Sequence, residues 1–183
     1  MAESFSEFAS SLAARFRDFV SQNDLELECD FVPATQSDVQ ECEHALGISF
    51  PAELRMLYMI VSDGGRETDV WSGVFGGDQW NSLDDIKQQM EDHRTEPNYA
   101  NDEQGFWSHV PQVKHGMLWR PEWIIIGSGY DLRYFYLDTD PSPQGNFGQV
   151  LIAEHTSCRY KVIAPNLREF LELCLSKTDC YQF

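Results

Sequence analysis

The chain has 183 residues, of which 42% are hydrophobic and 13% aromatic, so it is long and apolar enough to form one folded domain with a real core. It carries 30 Asp and Glu against 13 Lys and Arg, a net charge of −17. A general nucleic-acid binder needs Lys and Arg to contact phosphates, and so does a protein that docks on an anionic membrane. The composition therefore argues against both kinds of partner.

The acidic residues are concentrated toward the start of the chain. Residues 1–62 and residues 63–103 each hold 11 acidic and 3 basic side chains, whereas residues 104–183 hold 8 acidic and 7 basic ones. A field of this kind attracts a basic partner and can raise its association rate about 10- to 1,000-fold. Because an acidic balance also keeps a protein soluble, solubility alone is the alternative interpretation.

The sequence shows no targeting signal. The N-terminus lacks a basic segment followed by an apolar one, and the longest apolar run, residues 56–61, is far shorter than the roughly 20 residues of a membrane span. Five scattered cysteines are typical of free thiols in a reducing compartment. We therefore expect a cytoplasmic protein.

Residues 1–32 are predicted to form an amphipathic helix and an acidic connector. Apolar residues recur at helical spacing over 4–22, and Ser4 with Glu7 fits a capping box. The apolar stripe suits either the chain's own core or a partner helix, and we favour the core. The connector follows over residues 23–32.

Two further helices are predicted over the next thirty residues. The first runs over 36–46, with Thr35 as its N-cap, Asp38 three residues on and Gly47 as a left-handed stop. The second starts at Pro51, a residue that the first turn of a helix tolerates, and ends at Asp63-Gly64-Gly65.

The middle of the chain has weaker signals. We predict a short strand near 70–75, a helix capped by Ser82, and a long surface loop over 97–111. All five tryptophans fall between residues 71 and 123. Trp123 lies in an apolar strand and is expected in the core, whereas Trp80 and Trp107 lie in polar sequence and are candidates for the surface.

From Trp123 onward the pattern is that of β-structure. Strands are predicted over 123–126, 132–137, 149–154 and 159–163, followed by a last helix that opens with a capping box of Asn166 and Glu169. The order of elements has no alternation of strand, helix and parallel strand. It predicts an α+β fold with a mostly antiparallel β-sheet packed by helices.

Chemical motifs are weak. Asp138-Thr139-Asp140 follows an apolar strand and superficially resembles the aspartyl-nucleophile motif of haloacid-dehalogenase-type phosphatases, but that motif opens a parallel-sheet domain and none follows here. The five histidines show no metal-ligand spacing, and the Cys and His neighbours do not form two pairs. The sequence therefore predicts no catalytic residue, no cofactor and no metal site.

Two stretches carry a resemblance to a known family. The first contains Glu43, Leu46-Gly47, Phe50-Pro51 and the Gly64 turn, and the second contains Trp123–Gly127, Asp131, Asp138, Gly148 and the segment 164–171. In order and spacing they resemble the SUKH superfamily, which includes the Smi/Knr-type yeast cell-wall assembly regulator and bacterial toxin-immunity proteins. The resemblance covers about 33–176, and residues 66–122 match poorly.

The resemblance implies a SUKH-like domain over residues 33–183, with the N-terminal helix added to it. It also implies a non-enzymatic binding module. Six residues receive scaffold roles, while Asp131 and Asp138 receive no assigned role. Gly47 is expected to end a helix, Pro51 to start one, and Gly127 and Gly148 to give turns between strands. The six are Glu43, Gly47, Pro51, Gly64, Gly127 and Gly148.

The expected function is that of an immunity protein that binds and neutralises a cognate basic toxin acting in the cytosol. The alternative is a regulatory or scaffold protein of cell-wall or stress signalling. We expect a monomer or weak dimer that binds its partner through acidic and aromatic side chains of the middle segment. The predicted contact residues are Asp63, Glu67, Asp69, Trp71, Asp78, Trp80, Asp84, Asp85 and Trp107.

Overall fold

A computed structural model describes residues 4–22, 32–61, 79–95, 110–114, 119–129, 132–154, 156–157 and 159–176. Within these residues the fold is α+β, with five helices and a five-stranded sheet. The helices are α1 (Phe5–Gln22), α2 (Gln36–Leu46), α3 (Ala52–Ile60), α4 (Leu83–Thr95) and α5 (Leu167–Ser176). The strands are β1 (Gln79–Trp80), β2 (Trp123–Gly129), β3 (Arg133–Asp138), β4 (Gln149–Glu154) and β5 (Arg159–Ala164).

The sheet is an antiparallel meander in the order β1-β2-β3-β4-β5. One row of paired residues crosses it through Ile125, Tyr136, Leu151 and Val162. Directly opposed residues in antiparallel strands point to the same face. This register therefore assigns each strand residue to one of two faces, and both faces contribute to the core.

One face of the sheet packs against α5, and α5 in turn contacts α1. The Phe135 ring lies 5.7 Å from the Phe170 ring of α5, and the Arg168 guanidinium lies 4.6 Å from the centre of the Phe8 ring. Phe8 and Leu12 of α1 are fully buried in the same core cluster as the sheet. The prediction that the N-terminal stripe docks on the chain's own core is confirmed for Phe8 and Leu12.

Four helices begin as the sequence predicts. In each, the side chain of the residue just before the helix accepts a hydrogen bond from the backbone N–H three residues on. The acidic side chain of that later residue accepts a hydrogen bond from the capping residue in return. These caps satisfy N–H groups that a helix start leaves without partners. The pairs are Ser4–Glu7, Thr35–Asp38, Ser82–Asp85 and Asn166–Glu169.

Gly127 was expected to end β2 and to turn the chain toward the next strand, and this is wrong. It lies inside β2, at a bulge where the register with β3 shifts between Ile125 and Gly127, and it pairs with Trp80 of β1. A glycine in a strand interior often marks such a bulge. The predicted strand near 70–75, Gly64 and Asp131 lie outside the described residues.

Candidate functional site

Helices α2 and α4 lie side by side and turn their charged side chains outward. Their contact is apolar, and the Cys42 thiol donates a 3.5 Å hydrogen bond to the carbonyl oxygen of Leu83, the first residue of α4. The exposed side of the two helices carries five acidic residues. We call this surface the acidic α2–α4 face, and its acids are Asp38, Glu41, Asp84, Glu91 and Asp92.

Two bases lie on the acidic α2–α4 face, and both are held by neighbours. The Lys87 ammonium is 2.5 Å from an Asp84 carboxylate oxygen, and this hydrogen bond, with the charges of Asp84 and Glu41, raises the pKa of Lys87. The Arg94 guanidinium donates to the Leu46 carbonyl oxygen at 2.5 Å and lies 3.8 Å from Glu91. The face therefore keeps a strong acidic excess.

Glu43 lies on α2 near this face but has a different role. Its carboxylate is 13% exposed and accepts hydrogen bonds from the Phe50 backbone N–H at 2.5 Å and from the Arg55 guanidinium at 2.8 Å. It thereby joins α2 to the start of α3. Gly47 ends α2 with a φ of 67°, and Pro51 precedes the first residue of α3. Gly47 and Pro51 thus lie at the helix stop and the helix start expected of them.

Two of the acids predicted to contact a partner are described by the structure. Asp84 is exposed in the first turn of α4, where it pairs with Lys87. The Asp85 carboxylate caps the same helix through Ser82, at 2.7 Å from its hydroxyl. The remaining predicted contact residues, Trp80 apart, lie outside the described residues. They are Asp63, Glu67, Asp69, Trp71, Asp78 and Trp107.

The expectation that Trp80 lies at the surface is wrong. It is 3% exposed, and its ring lies 5.7 Å from that of Tyr58 of α3, whose hydroxyl donates to the Asn81 carbonyl oxygen at 2.7 Å. Trp80 is buried because β1, only two residues long, adds to the edge of β2. A two-residue strand leaves no alternation in the sequence, so the burial had no signal there.

Two polar side chains are fully buried where β3 ends and β4 begins, at the end of the strands away from β1. Asp138 ends β3, Gln149 begins β4, and both are 0% exposed. The Gln149 amide donates to one Asp138 carboxylate oxygen at 2.8 Å, and the Asp140 backbone N–H donates to the other at 3.0 Å. Burial raises the pKa of Asp138, and these two hydrogen bonds oppose the rise. Both carboxylate oxygens are thus engaged inside the protein.

Next to this pair, Asp140 forms ion pairs with two basic side chains. Its carboxylate bonds to the Lys114 ammonium and lies 3.2 Å from the Arg120 guanidinium. The hydrogen bond from Lys114, with the charges of Lys114 and Arg120, lowers the pKa of Asp140. The Asp-Thr-Asp sequence that resembled a phosphatase motif therefore holds a buried hydrogen-bond acceptor and an ion pair.

The connection between β3 and β4, residues 139–148, is tied to the rest of the protein along its length; we call it the β3–β4 loop. The Ser142 backbone N–H and the Gln149 amide both donate to the Gln112 carbonyl oxygen, at 3.2 and 2.9 Å. The Thr139 hydroxyl donates to the Glu122 carbonyl oxygen at 2.7 Å. Gly148, as expected, occupies a turn position, with a φ of 79°.

His93 is the buried histidine of the described residues. Its Nδ1 lies 2.8 Å from the Gln89 carbonyl oxygen and its Nε2 lies 3.3 Å from the Tyr136 hydroxyl, while the Tyr134 ring packs at right angles 4.9 Å away. Burial lowers the pKa of His93. The ring therefore packs α4 against the sheet. In the described parts of the chain, no three His, Cys, Asp or Glu side chains are grouped to hold a metal ion.

The family model described as the SMI1/KNR4 family (SUKH-1) matches residues 33–173. No curated protein matches the chain. Within the described ranges, no helix has the length and apolar character needed to cross a bilayer. Because the family model spans most of the chain and includes α2 to β5 and most of α5, the chain belongs to the SMI1/KNR4 family (SUKH-1).

Proposed function

We propose that this protein is a non-enzymatic protein-binding module, and specifically an immunity protein that neutralises a basic, cytosol-acting bacterial toxin by covering its functional surface. Membership of the SMI1/KNR4 family supports a protein-interaction module. The acidic α2–α4 face is the observation that carries the more specific statement. Its five acids are exposed on two packed helices, and its two bases are already paired.

The charge distribution favours a basic partner over simple solubility. Solubility needs only net charge, which can be spread over the whole surface. Here residues 104–183 are almost neutral, and the excess lies in residues 1–103, which include α2 and α4. A basic protein approaching the acidic α2–α4 face meets more acidic than basic side chains, so complementarity there would speed association more than it strengthens the final complex.

The proposal is tested first by identifying the partner. The tagged full chain is used to capture proteins from the native lysate at low salt, and each captured protein is then expressed in a host with and without the chain. A basic protein that stops growth alone, and not in the presence of the chain, supports immunity. Capture of kinases or wall-synthesis enzymes, without toxicity, supports the regulatory alternative instead.

The electrostatic part is tested with a matched pair of double variants. Glu41→Gln/Glu91→Gln removes two charges from the acidic α2–α4 face, and Glu122→Gln/Glu154→Gln removes two from the nearly neutral part of the chain. We expect the first pair to lower the association rate several-fold more than the second, with dissociation almost unchanged. For the unaltered chain, association should slow steeply as salt rises. Association that is independent of salt would contradict the proposal.

A further inference from the structure

Among the described residues, Phe147 is an aromatic residue with a largely exposed side chain. Its side chain is 65% exposed, although it lies only two residues before the fully buried Gln149. The other large apolar residues with comparable exposure are aliphatic, namely Val32 at 63% and Leu132 at 53%. A single exposed apolar residue needs no explanation by itself. The backbone that carries Phe147 is what gives it meaning.

The backbone is fixed on both sides of Phe147. The Asn146 N–H donates to the Gln149 side-chain oxygen at 3.1 Å, and the Asn146 carbonyl oxygen accepts from the Gln149 N–H at 3.0 Å. On the other side, the Gly148 N–H donates to the Asp138 carbonyl oxygen at 2.7 Å. The ring therefore projects from a Cα position that three hydrogen bonds define.

The rest of the β3–β4 loop is equally constrained. Gly145 lies so close to the neighbouring segment that an added Cβ would come within 2.3 Å of the Gln112 carbonyl oxygen. The Gly145 N–H donates to the Ser142 carbonyl oxygen, and the Ser142 hydroxyl to the Pro111 carbonyl oxygen. A hairpin closes with about two to five residues. Residues 139–148 form a longer loop, and its hydrogen bonds offset part of the backbone entropy, about 1–2 kcal/mol per residue, that holding one conformation costs.

The loop also has few charged side chains. Its one charged residue, Asp140, is neutralised by Lys114 and Arg120. Charge depletion together with an aromatic anchor is characteristic of the centre of a protein–protein interface. Because the backbone at Phe147 is already held, a partner that covers the ring has to order its side chain alone, which lowers the entropic cost of binding.

We propose that the β3–β4 loop is a protein-docking surface on which Phe147 is the anchor, inserted into an uncharged apolar pocket of the partner protein. The proposal rests on the proposed function only in that the partner is a protein. It adds a contact whose strength does not depend on salt, at the end of the strands away from β1.

The test replaces Phe147 by the photoreactive aromatic residue p-benzoylphenylalanine and irradiates the full chain in native lysate. The same residue at position 32 is the control, because Val32 is as exposed as Phe147 and has no part in the loop. We expect a discrete adduct with one protein from position 147 and none with that protein from position 32. Absence of an adduct specific to position 147 overturns the proposal.

The cross-linked protein is then purified and its affinity for three variants is measured. Phe147→Ala should raise Kd about 10- to 100-fold through faster dissociation, at any salt concentration, and without changing the urea midpoint of the free chain. Gly145→Ala keeps the ring but distorts its support and should also weaken binding, whereas Val32→Ala should not. Equal affinity for Phe147→Ala and the unaltered chain overturns the proposal. If the purified protein is not toxic, the Phe147 contact is still measured on it, and the growth assay decides the proposed function separately.

Discussion

The acidic α2–α4 face consists of solvated side chains on two helices, whereas the β3–β4 loop is a backbone held by hydrogen bonds to other segments of the chain. On the face, Glu41, Glu91 and Asp92 are exposed, and their carboxylates can move without disturbing the helices below. At the two ends of the loop, Asp138 and Gln149 are inaccessible to solvent, and the Gln149 amide joins Asp138 of β3 to the Gln112 carbonyl oxygen.

This difference follows from the physics of the two kinds of recognition. A charge acts over about 8–10 Å at physiological salt, so its exact position matters little. An aromatic ring gains energy only in a pocket that fits it, so its position matters a great deal. The first kind of surface tolerates substitution, and the second depends on a rigid support. Perturbing each region should therefore have very different effects on stability.

The largest effect is expected from Asp138→Ala. The change removes one hydrogen-bond acceptor from the buried Gln149 amide. It also removes the carboxylate oxygen that accepts a hydrogen bond from the Asp140 N–H. Unsatisfied buried groups and a new cavity should together lower the free energy of unfolding by about 3 kcal/mol, as measured by urea denaturation. Ser157→Ala, in the exposed β4–β5 turn, is the control and should change it by less than about 0.5 kcal/mol. A loss below about 1 kcal/mol for Asp138→Ala would show that the pair does not support the loop.

A smaller effect is expected from Glu43→Ala. Its carboxylate, which is mostly buried, accepts from the Phe50 N–H and from Arg55. Its loss should lower the free energy of unfolding by about 2 kcal/mol. Glu41→Ala, two residues earlier on the same helix and exposed, should be almost neutral. Similar changes for the two variants would show that the contacts of the Glu43 carboxylate with Phe50 and Arg55 do not stabilise the fold.

The sequence predicted those parts of the fold that local chemistry specifies. Cap pairs such as Thr35–Asp38 and the left-handed Gly47 depend on neighbours a few residues away, and these predictions are confirmed. The strand positions from Trp123 onward were also found within two or three residues, because apolar and aromatic runs determine them. The identity of the family was recognised from the same segments.

The features of the fold that could not be predicted from the sequence depend on contacts between distant segments. Gln149 lies in an apolar strand, and its burial beside Asp138 follows from the β3–β4 register. Phe147 lies among turn-forming residues, where nothing distinguishes a fixed loop from a mobile one. Trp80 is buried by pairing with Gly127, 47 positions later. In each case the tertiary partner decides the role, and the local sequence does not contain that information.

The pH dependence of stability should separate the two regions further. Burial raises the pKa of Asp138 above its ordinary value of 3.8. Between that value and the raised one, the folded state binds more protons than the unfolded state, so this group's contribution to stability falls as pH increases. Comparing urea unfolding of the unaltered chain and Asp138→Asn across acidic pH should show the falling component only in the former. Parallel curves for the two proteins would mean that Asp138 titrates as if exposed.

The smallest effect on stability is expected from neutralising the acidic α2–α4 face. Glu41→Gln/Glu91→Gln removes two exposed charges from a surface with an acidic excess, so relief of repulsion offsets the loss of weak pairing with Arg94. We expect the free energy of unfolding to change by less than about 0.5 kcal/mol. The same double variant is expected to slow association with the partner. A surface that can lose its charge without cost to the fold, but not without cost to binding, is one whose charge serves recognition. A large loss of stability would instead show that these carboxylates belong to the scaffold, as Glu43 does.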